Sequence, residues 1–460
     1  MNRSALERIV LQLREENENL KEENAYLKFR IDELQASRYK SKKKPPDDDA
    51  SGEPTAPKKK GGHFGHIGWF RKKPAKIDRV EDVKLDKCPA CGSSDLSECA
   101  HIEEHIQEDI TLPQVESVLY KRRHYYCKGC KKVVSGLGKD ELPNSYIGPK
   151  AKSFAAFLKY VVKISDRDVR AIFKKAFNFD FVTSSVTGFK CQIKKKALPL
   201  YKLLLEELKK GPFIHADETG WNVDGDNHWL WKFSNKKICI SHIDKGRGQK
   251  VVENILGKKY NGTLISDFLS AYDKIEAKAK QKCCTHLLHE LKKVMKYWRD
   301  DEEVMTYCLR LKKILTDAMD LHREYNGRDR DRAYCDRREA LQKSLDDFEF
   351  PNPNKRVLKR LAKRLIRRKG EILTFLYEDN IDPHNNHAEQ QIRPDVIFRK
   401  ITFGNRSPVG AENHSVLMTI LQTAKLNDLD PIATLEQILI PGSKKPFTKI
   451  LSPPKKASIG

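Results

Sequence analysis

Leucine recurs at Leu6, Leu13, Leu20, Leu27 and Leu34. A strict seven-residue spacing of this kind marks the d positions of a left-handed coiled coil and commits the start of the chain to one long helix with an apolar seam. The a positions are then Val10, Asn17, Asn24 and Ile31. Asparagine at a lowers stability but satisfies itself against its twin, which favours a parallel pair in a single register. Glu16 with Lys21 and Glu23 with Lys28 stand at g and e with opposite signs, attractive between parallel chains. Residues 1–37 are therefore read as a homodimerising zipper; a lone amphipathic helix is the plainer alternative.

Residues 38–62 (RYKSKKKPPDDDASGEPTAPKKKGG) carry Pro, Gly and blocks of charge with almost no apolar side chain, the composition of a disordered basic linker. Lys42 to Lys44 and Lys58 to Lys60 could touch phosphates, although a solvated tether explains them equally. Positive charge dominates the whole chain: 88 Lys and Arg against 64 Asp and Glu in 460 residues give +24. Such a surplus points to a polyanion, for which nucleic acid is the usual partner. No stretch approaches the ~18 to 20 uninterrupted apolar residues of a spanning helix, and MNRSALERIV lacks a signal peptide's apolar core. The expectation is a cytoplasmic, nucleoid-associated protein without a membrane partner.

Eleven cysteines in a long, charged chain suggest reduced thiols or metal ligands rather than disulfides. Two Cys-x-x-Cys pairs, Cys88 with Cys91 and Cys127 with Cys130, could bring four thiolates to one tetrahedral ion, a closed structural Zn²⁺ site. The segment between them alternates in strand fashion near Thr111 to Tyr126, so residues 63–147 are read as a zinc ribbon. A redox pair is the rival, weakened because neither pair opens a helix in a βαβ setting.

Residues 148–210 read as helical. Apolar positions Phe154, Phe157, Leu158, Val161 and Val162 precede Ser165, which can cap a helix from Asp166 to Ala176. Thr183 or Ser184 can cap a further helix ending in the basic run Lys194, Lys195, Lys196. Helix, turn and basic helix is the arrangement of a helix-turn-helix DNA reader, though ordinary helix pairs give the same pattern.

From residue 211 to 441 strands and helices mix. Phe213 to His215 run as a strand into Asp217. Trp229 to Ser234 and Ile238 to Ile243 form a hairpin across Asn235 and Lys236, a helix follows near Gln249 to Leu256, and Asn261 and Gly262 turn into a strand ending at Asp267. Glu389 opens a helix capped by Asn385 or Asn386. Carboxylates from two strands and a helix are what a two-metal phosphoryl-transfer site requires, because hard oxygen ligands suit Mg²⁺ or Mn²⁺. Taken singly, each acid is also explained as a turn, cap or helix-dipole residue. Between Asp267 and Glu389, residues 291–380 read as a mostly helical insertion. Lys355 to Lys369 keeps Leu358, Leu361, Ala362 and Leu365 on one face and offers cations on the others. Arg393, Arg399 and Lys400 stand nearer the acids and are candidates for gripping phosphates. Trp221, Trp229 and Trp231 are read as core and hairpin residues. Residues 442–460 read as a basic disordered tail.

The stretches HADETGW, LISDFLSAYD, NNHAEQQIRP and RKITFGNRS, in this order behind a zipper and a CPAC/CKGC ribbon, resemble an insertion sequence 66 family transposase. The resemblance covers about residue 62 to the Pro431 region. It implies a multidomain α/β protein with an RNase H-like DDE nuclease core. That core would bind double-stranded DNA at the terminal inverted repeats of its own element, cleave a strand with metal, and join the freed 3′-hydroxyl to target DNA. Accessory proteins encoded by the element are possible partners. On that resemblance Asp217, Asp267 and Glu389 match the three acids. Cys284 and His286 match a Cys and His segment read here as a buried strand entering a helix, not a metal site. Gln390 stands where the family usually has Arg, which bears on one phosphate contact. The rival reading is a decayed, zinc-containing DNA-binding regulator; a nuclease or phosphatase of other purpose is a third.

Overall fold

A computed structural model describes residues 3–38 and, apart from short breaks, 115–451. Cys88, Cys91 and the linker lie outside the described residues, as does Cys130. The backbone at Cys127 ends strand β1 (His124–Cys127), which pairs antiparallel with β2 (Lys132–Ser135). Residues 115–121 carry neither helix nor strand, and within the expected stretch the described strand is His124–Cys127.

The heptad segment is one helix, α1 (Arg3–Arg38). Its seam residues Val10, Leu13, Leu20, Leu27 and Ile31 are exposed, whereas Phe29 on the opposite face is buried, edge-on to Tyr297 and Trp298. Arg360 forks onto Glu33 at 2.6 and 2.8 Å.

Two short helices and one long one follow. Pro149 opens α2 (Pro149–Phe157), and Ser165 caps α3 (Asp166–Phe177) through a reciprocal capping box with Asp168. The next helix, α4 (Thr183–Lys209), begins after Val182 and runs well past the expected end at Lys196. Its continuation is driven by burial. Ile193, Ala197, Leu200, Leu204 and Leu208 extend one apolar stripe through the basic run and through Pro199, onto the main core. Lys194 to Lys196 thus stand mid-helix. The N-terminal half of α4 shares a separate small core with α2 and α3, built on Phe173, Val186 and Phe189.

The central sheet holds β3 (Phe213–Val223), β4 (Asp226–Ser234), β5 (Cys239–Asp244), β6 (Lys259–Ser266) and β7 (Glu276–Lys282) in the order β5-β4-β3-β6-β7. The first three are antiparallel, and β3, β6 and β7 run parallel. β3 is longer than expected because Asp224 and Gly225, both at positive φ, make a tight hairpin and extend its pairing with β4 over nine residue pairs. Asp217 therefore lies within a strand, not at its end. Asn261 and Gly262 form an irregularity inside β6 rather than a preceding turn. The crossover from β5 to β6 is α5 (Gln249–Leu256), as read from sequence.

Helices α6 (Cys284–Tyr297), α7 (Glu302–Glu324), α8 (Arg332–Asp346) and α9 (Arg356–Arg368) form the helical insertion, with a core of its own that includes Leu291, Leu311, Leu358 and Phe29 of α1. α9 buries Leu358, Leu361, Ala362 and Leu365 as its spacing predicts. After it come α10 (Asn386–Thr402), α11 (Pro408–Leu426) and α12 (Pro431–Leu439), which join α4 and the sheet in the main core. The chain does not loosen at residue 442. Phe447 is buried against the main core and a last turn, α13 (Thr448–Leu451), packs Ile450 and Leu451 there, because these apolar residues still have core surface to cover.

Candidate functional site

Parallel pairing of β3 with β6 sets Asp217 beside the end of the neighbouring strand. His215 pairs with Ile265, so Asp217 lies two residues beyond that pair and Asp267 follows β6 directly. Strand alternation aims His215, Asp217, Thr219 and Trp221 to one face, the face covered by α10. Contacts along it are explicit: Asn385 Nδ2 donates to the Ala216 carbonyl at 2.7 Å, His215 Nδ1 lies 3.1 Å from Asn385 Oδ1, and Trp221 Nε1 donates to Asn405 Oδ1 at 2.8 Å.

Asn385 is the N-terminal flanking residue of α10, but its side chain makes no capping bond. It is fully buried and holds the helix start against β3, while its backbone N–H donates to Cys283 Sγ at 3.2 Å. That staple positions Glu389 one turn later at the same edge of the sheet as the two aspartates. Asp267 Oδ1 accepts the Leu269 N–H at 2.9 Å, and the Lys282 ammonium, itself buried, donates to the Asp267 carbonyl at 3.1 Å.

Electrostatics register the convergence. Burial, then the charges of Glu218, Asp267 and Glu389, push the Asp217 carboxyl up to about 8, against one backbone hydrogen bond from Glu218. Glu218, which sequence reading passed over, points to the other face and is raised first by burial and then by Asp267. Arg247 at 3.0 Å and the Tyr272 hydroxyl at 2.9 Å hold it, and Arg247 also lies over the Trp229 ring. A second omission is Cys283, since Cys284 was paired with His286 in the sequence. Cys283, and not Cys284, faces His286; Cys284 Sγ is turned toward the Ile372 carbonyl. The Cys283 hydrogen bond first, then Glu389 and Asp267, outweigh burial and raise His286 to about 9. Its Nε2 lies 3.9 Å from Glu389 Oε1.

A group of oxygen donors whose carboxyl is forced up by its neighbours fits hard divalent cations, which would relieve the repulsion. A sign follows for the metal-free protein. An acid raised in the folded state loses stability as pH climbs from the ordinary aspartate range through its folded value, here about 8. With a chelator present, the unfolding temperature should fall over that window. Asp217→Asn should flatten the fall and raise the value by a few degrees at pH 8, read by scanning calorimetry; an unchanged profile in the variant would show that Asp217 is not the strained group.

The expected cation positions divide. Arg393 and Lys400 are exposed on the outer face of α10. Arg399 turns inward, bonding the Gly220 carbonyl and Thr219 Oγ1, so it braces the β3 to α10 contact. Lys194 pairs with Glu412 at 2.6 Å, whereas Lys195 and Lys196 are exposed. On α9, Arg364 and Arg360 engage Glu290, and Arg368 grips Asp273, leaving Lys359, Lys363 and Arg367 on the solvent side. Trp221 and Trp231 are buried core residues. No helix among the described residues is long and apolar enough to cross a membrane.

Comparison with known proteins adds a family. The model described as Transposase IS66 family matches residues 144–413, a stretch that holds Asp217, Asp267 and Glu389. Two proteins of Sinorhizobium fredii (strain NBRC 101917 / NGR234) are similar over most of their length. Uncharacterized protein y4hP is 21% identical over 429 residues, covering 83% of this chain and 76% of its own. Uncharacterized protein y4qI is 24% identical over 412 residues, covering 79% and 72%.

Proposed function

The chain belongs to the IS66 family of transposases, and from that membership we propose that it cleaves and joins DNA with Asp217, Asp267 and Glu389 as its metal-binding DDE triad. The observation that carries this reading is the placement of the three acids, Asp217 two residues beyond the His215–Ile265 pair on β3, Asp267 directly after β6 and Glu389 in the first turn of α10. A strand order of β5-β4-β3-β6-β7, antiparallel on one side of β3 and parallel on the other, supports an RNase H-like core. The three acids would hold Mg²⁺ or Mn²⁺, which supplies Lewis-acid activation of an attacking oxygen and neutralises charge at the leaving one. The chain's own groups do the rest. Arg393 and Lys400 bind flanking phosphates, and Arg399 and Asn385 keep α10, and with it Glu389, seated on β3. Hydrolysis of the phosphodiester at an element end frees a 3′-hydroxyl, whose oxygen then displaces a 3′-oxygen in target DNA and gives up its proton.

Ends and targets are double-stranded DNA, met by cations on α4, α9 and α10, and the four thiolates Cys88, Cys91, Cys127 and Cys130 hold a structural Zn²⁺. A Mg²⁺-dependent nicking assay on element-end DNA, scored also for joined products, tests the reading. Neither nicks nor joints would leave the DNA-binding regulator; nicks alone would indicate a nuclease of other purpose.

Pairing of two chains goes through α1. The residues that dock it on the insertion, among them Phe29 at f and Glu33 at c, lie opposite the a and d seam, so a helix docked in this way still presents its leucines to a twin. Leu20→Lys with Leu27→Lys should therefore halve the sedimentation mass while leaving the Phe29 contact intact. A mass unchanged from the parent would reject the zipper.

A further inference from the structure

Three metal-ligating side chains meet outside the oxygen-only set. Cys283 Sγ, a His286 ring nitrogen and a Glu389 carboxylate oxygen lie within 4.8 Å of one another. Two of them come from the N-terminal edge of α6 at the spacing Cys-x-x-His, and the third from the first turn of α10.

We propose that Cys283, His286 and Glu389 form a second metal site, suited to a thiophilic divalent cation such as Zn²⁺ and exclusive with the oxygen-ligated site because both require Glu389. One thiolate, one imidazole and one carboxylate are borderline-soft ligands that select zinc-like ions over Mg²⁺. Cys283 is fully buried and flanks the start of α6. Its sulfur already accepts the Asn385 N–H at 3.2 Å, the outer hydrogen bond that orients a ligating sulfur. His286 and Glu389 are nearly half exposed, 46% and 45%, so the ion has an entry path and the fourth position opens to solvent. Binding releases the Cys283 thiol proton and the His286 ring proton to solvent. An ion there withdraws Glu389 from the triad, so a thiophilic metal acts as an inhibitor of magnesium-dependent cleavage.

The site itself stands without the transposase reading; only the inhibition rests on it. The full chain, given one equivalent of zinc for the four-thiolate ribbon, is titrated with Co²⁺ and followed by absorption. One cobalt per chain should appear with a sulfur-to-cobalt charge-transfer band and the visible intensity of a low-coordinate ion. Cys283→Ser should remove the band, and His286→Asn should weaken cobalt affinity by about tenfold or more. Wild-type and Cys283→Ser chains that give the same spectrum would overturn the proposal, and so would a wild-type chain that takes up no cobalt. In the nicking assay at fixed Mg²⁺, the Zn²⁺ concentration for half-inhibition should rise about tenfold in Cys283→Ser relative to wild type; equal sensitivity would overturn the exclusivity. A wild type that binds cobalt through Cys283 yet never nicks DNA would support the site while refuting the nuclease.

Discussion

Asp267→Asn should reduce strand nicking by about a thousandfold or more, equivalent to ~4 kcal/mol of lost transition-state stabilisation, while element-end binding stays within a few-fold of the parent. Asparagine keeps the size of the side chain, and its carbonyl can still accept the Leu269 N–H now bonded to Oδ1. The loop after β6 should therefore hold its shape, and only the charge needed by a hard cation is gone. End binding should survive because the groups proposed for it, Lys195, Lys196, Arg393 and Lys400, are exposed and none depends on Asp267 for its position. Parallel losses are expected for Asp217→Asn and Glu389→Gln. Nicking and gel retardation on the same DNA check this, and an Asp267→Asn protein that nicks at the parental rate would remove Asp267 from the triad. Equal binding with no nicking in the parent as well would favour the regulator instead.

Much of this geometry could be read from local signals, and the failures share a cause. Asp267 at a strand end and Glu389 in a first helical turn follow from adjacent residues: the strand-forming run Thr263 to Ser266 stops at an acid, and an Asn precedes a periodic helix. Ser165 and the apolar stripe of α9 were equally local. Asp217 was misplaced within its strand because Asp224–Gly225 was not read as a hairpin signal, although that dipeptide is a strong one. Pairing with β4 then carries β3 six residues past Asp217. The end of α4 was missed because a basic run looked like a terminus, while Leu200, Leu204 and Leu208 answered to a sheet that lies later in the chain. Arg399 was given to phosphate, and Cys283 was missed, for the same reason. What decides their role is a partner far away in sequence, the Gly220 carbonyl for one and Glu389 for the other. Sequence periodicity reports which face of an element is apolar, not which polar group meets it.

The second large effect falls on a buried charge pair with no part in chemistry. Lys232 pairs across the strands with Asp217, and its ammonium lies 2.8 Å from Asp395 on α10, with both side chains fully buried. Asp395 accepts from His414 Nε2 at 2.8 Å and from Gln422 at 3.1 Å, and Lys232 also donates to Ser241 and Gln422. Burial alone would raise Asp395; the Lys232 charge and the His414 hydrogen bond reverse it and hold the carboxyl near 2. His414 is lowered by burial, which fits a neutral ring donating through Nε2 with no partner at Nδ1 among the described residues. Lys232→Met leaves that carboxylate in the core without its counter-charge and should cost about 3 to 5 kcal/mol. Lys232→Met with Asp395→Asn removes both charges and should recover most of the loss, since an apolar or neutral replacement of a buried pair is tolerated far better than half of it. Denaturant unfolding of the two singles and the double measures the coupling. The consequence reaches the site because Asp395 lies on the helix that carries Glu389: a partly loosened α10 should bind divalent metal more weakly even where the chain remains folded. If the single and double variants are equally destabilised, the pair is not what clamps α10 to β4, and the packing of Phe398 beneath it must hold the helix instead.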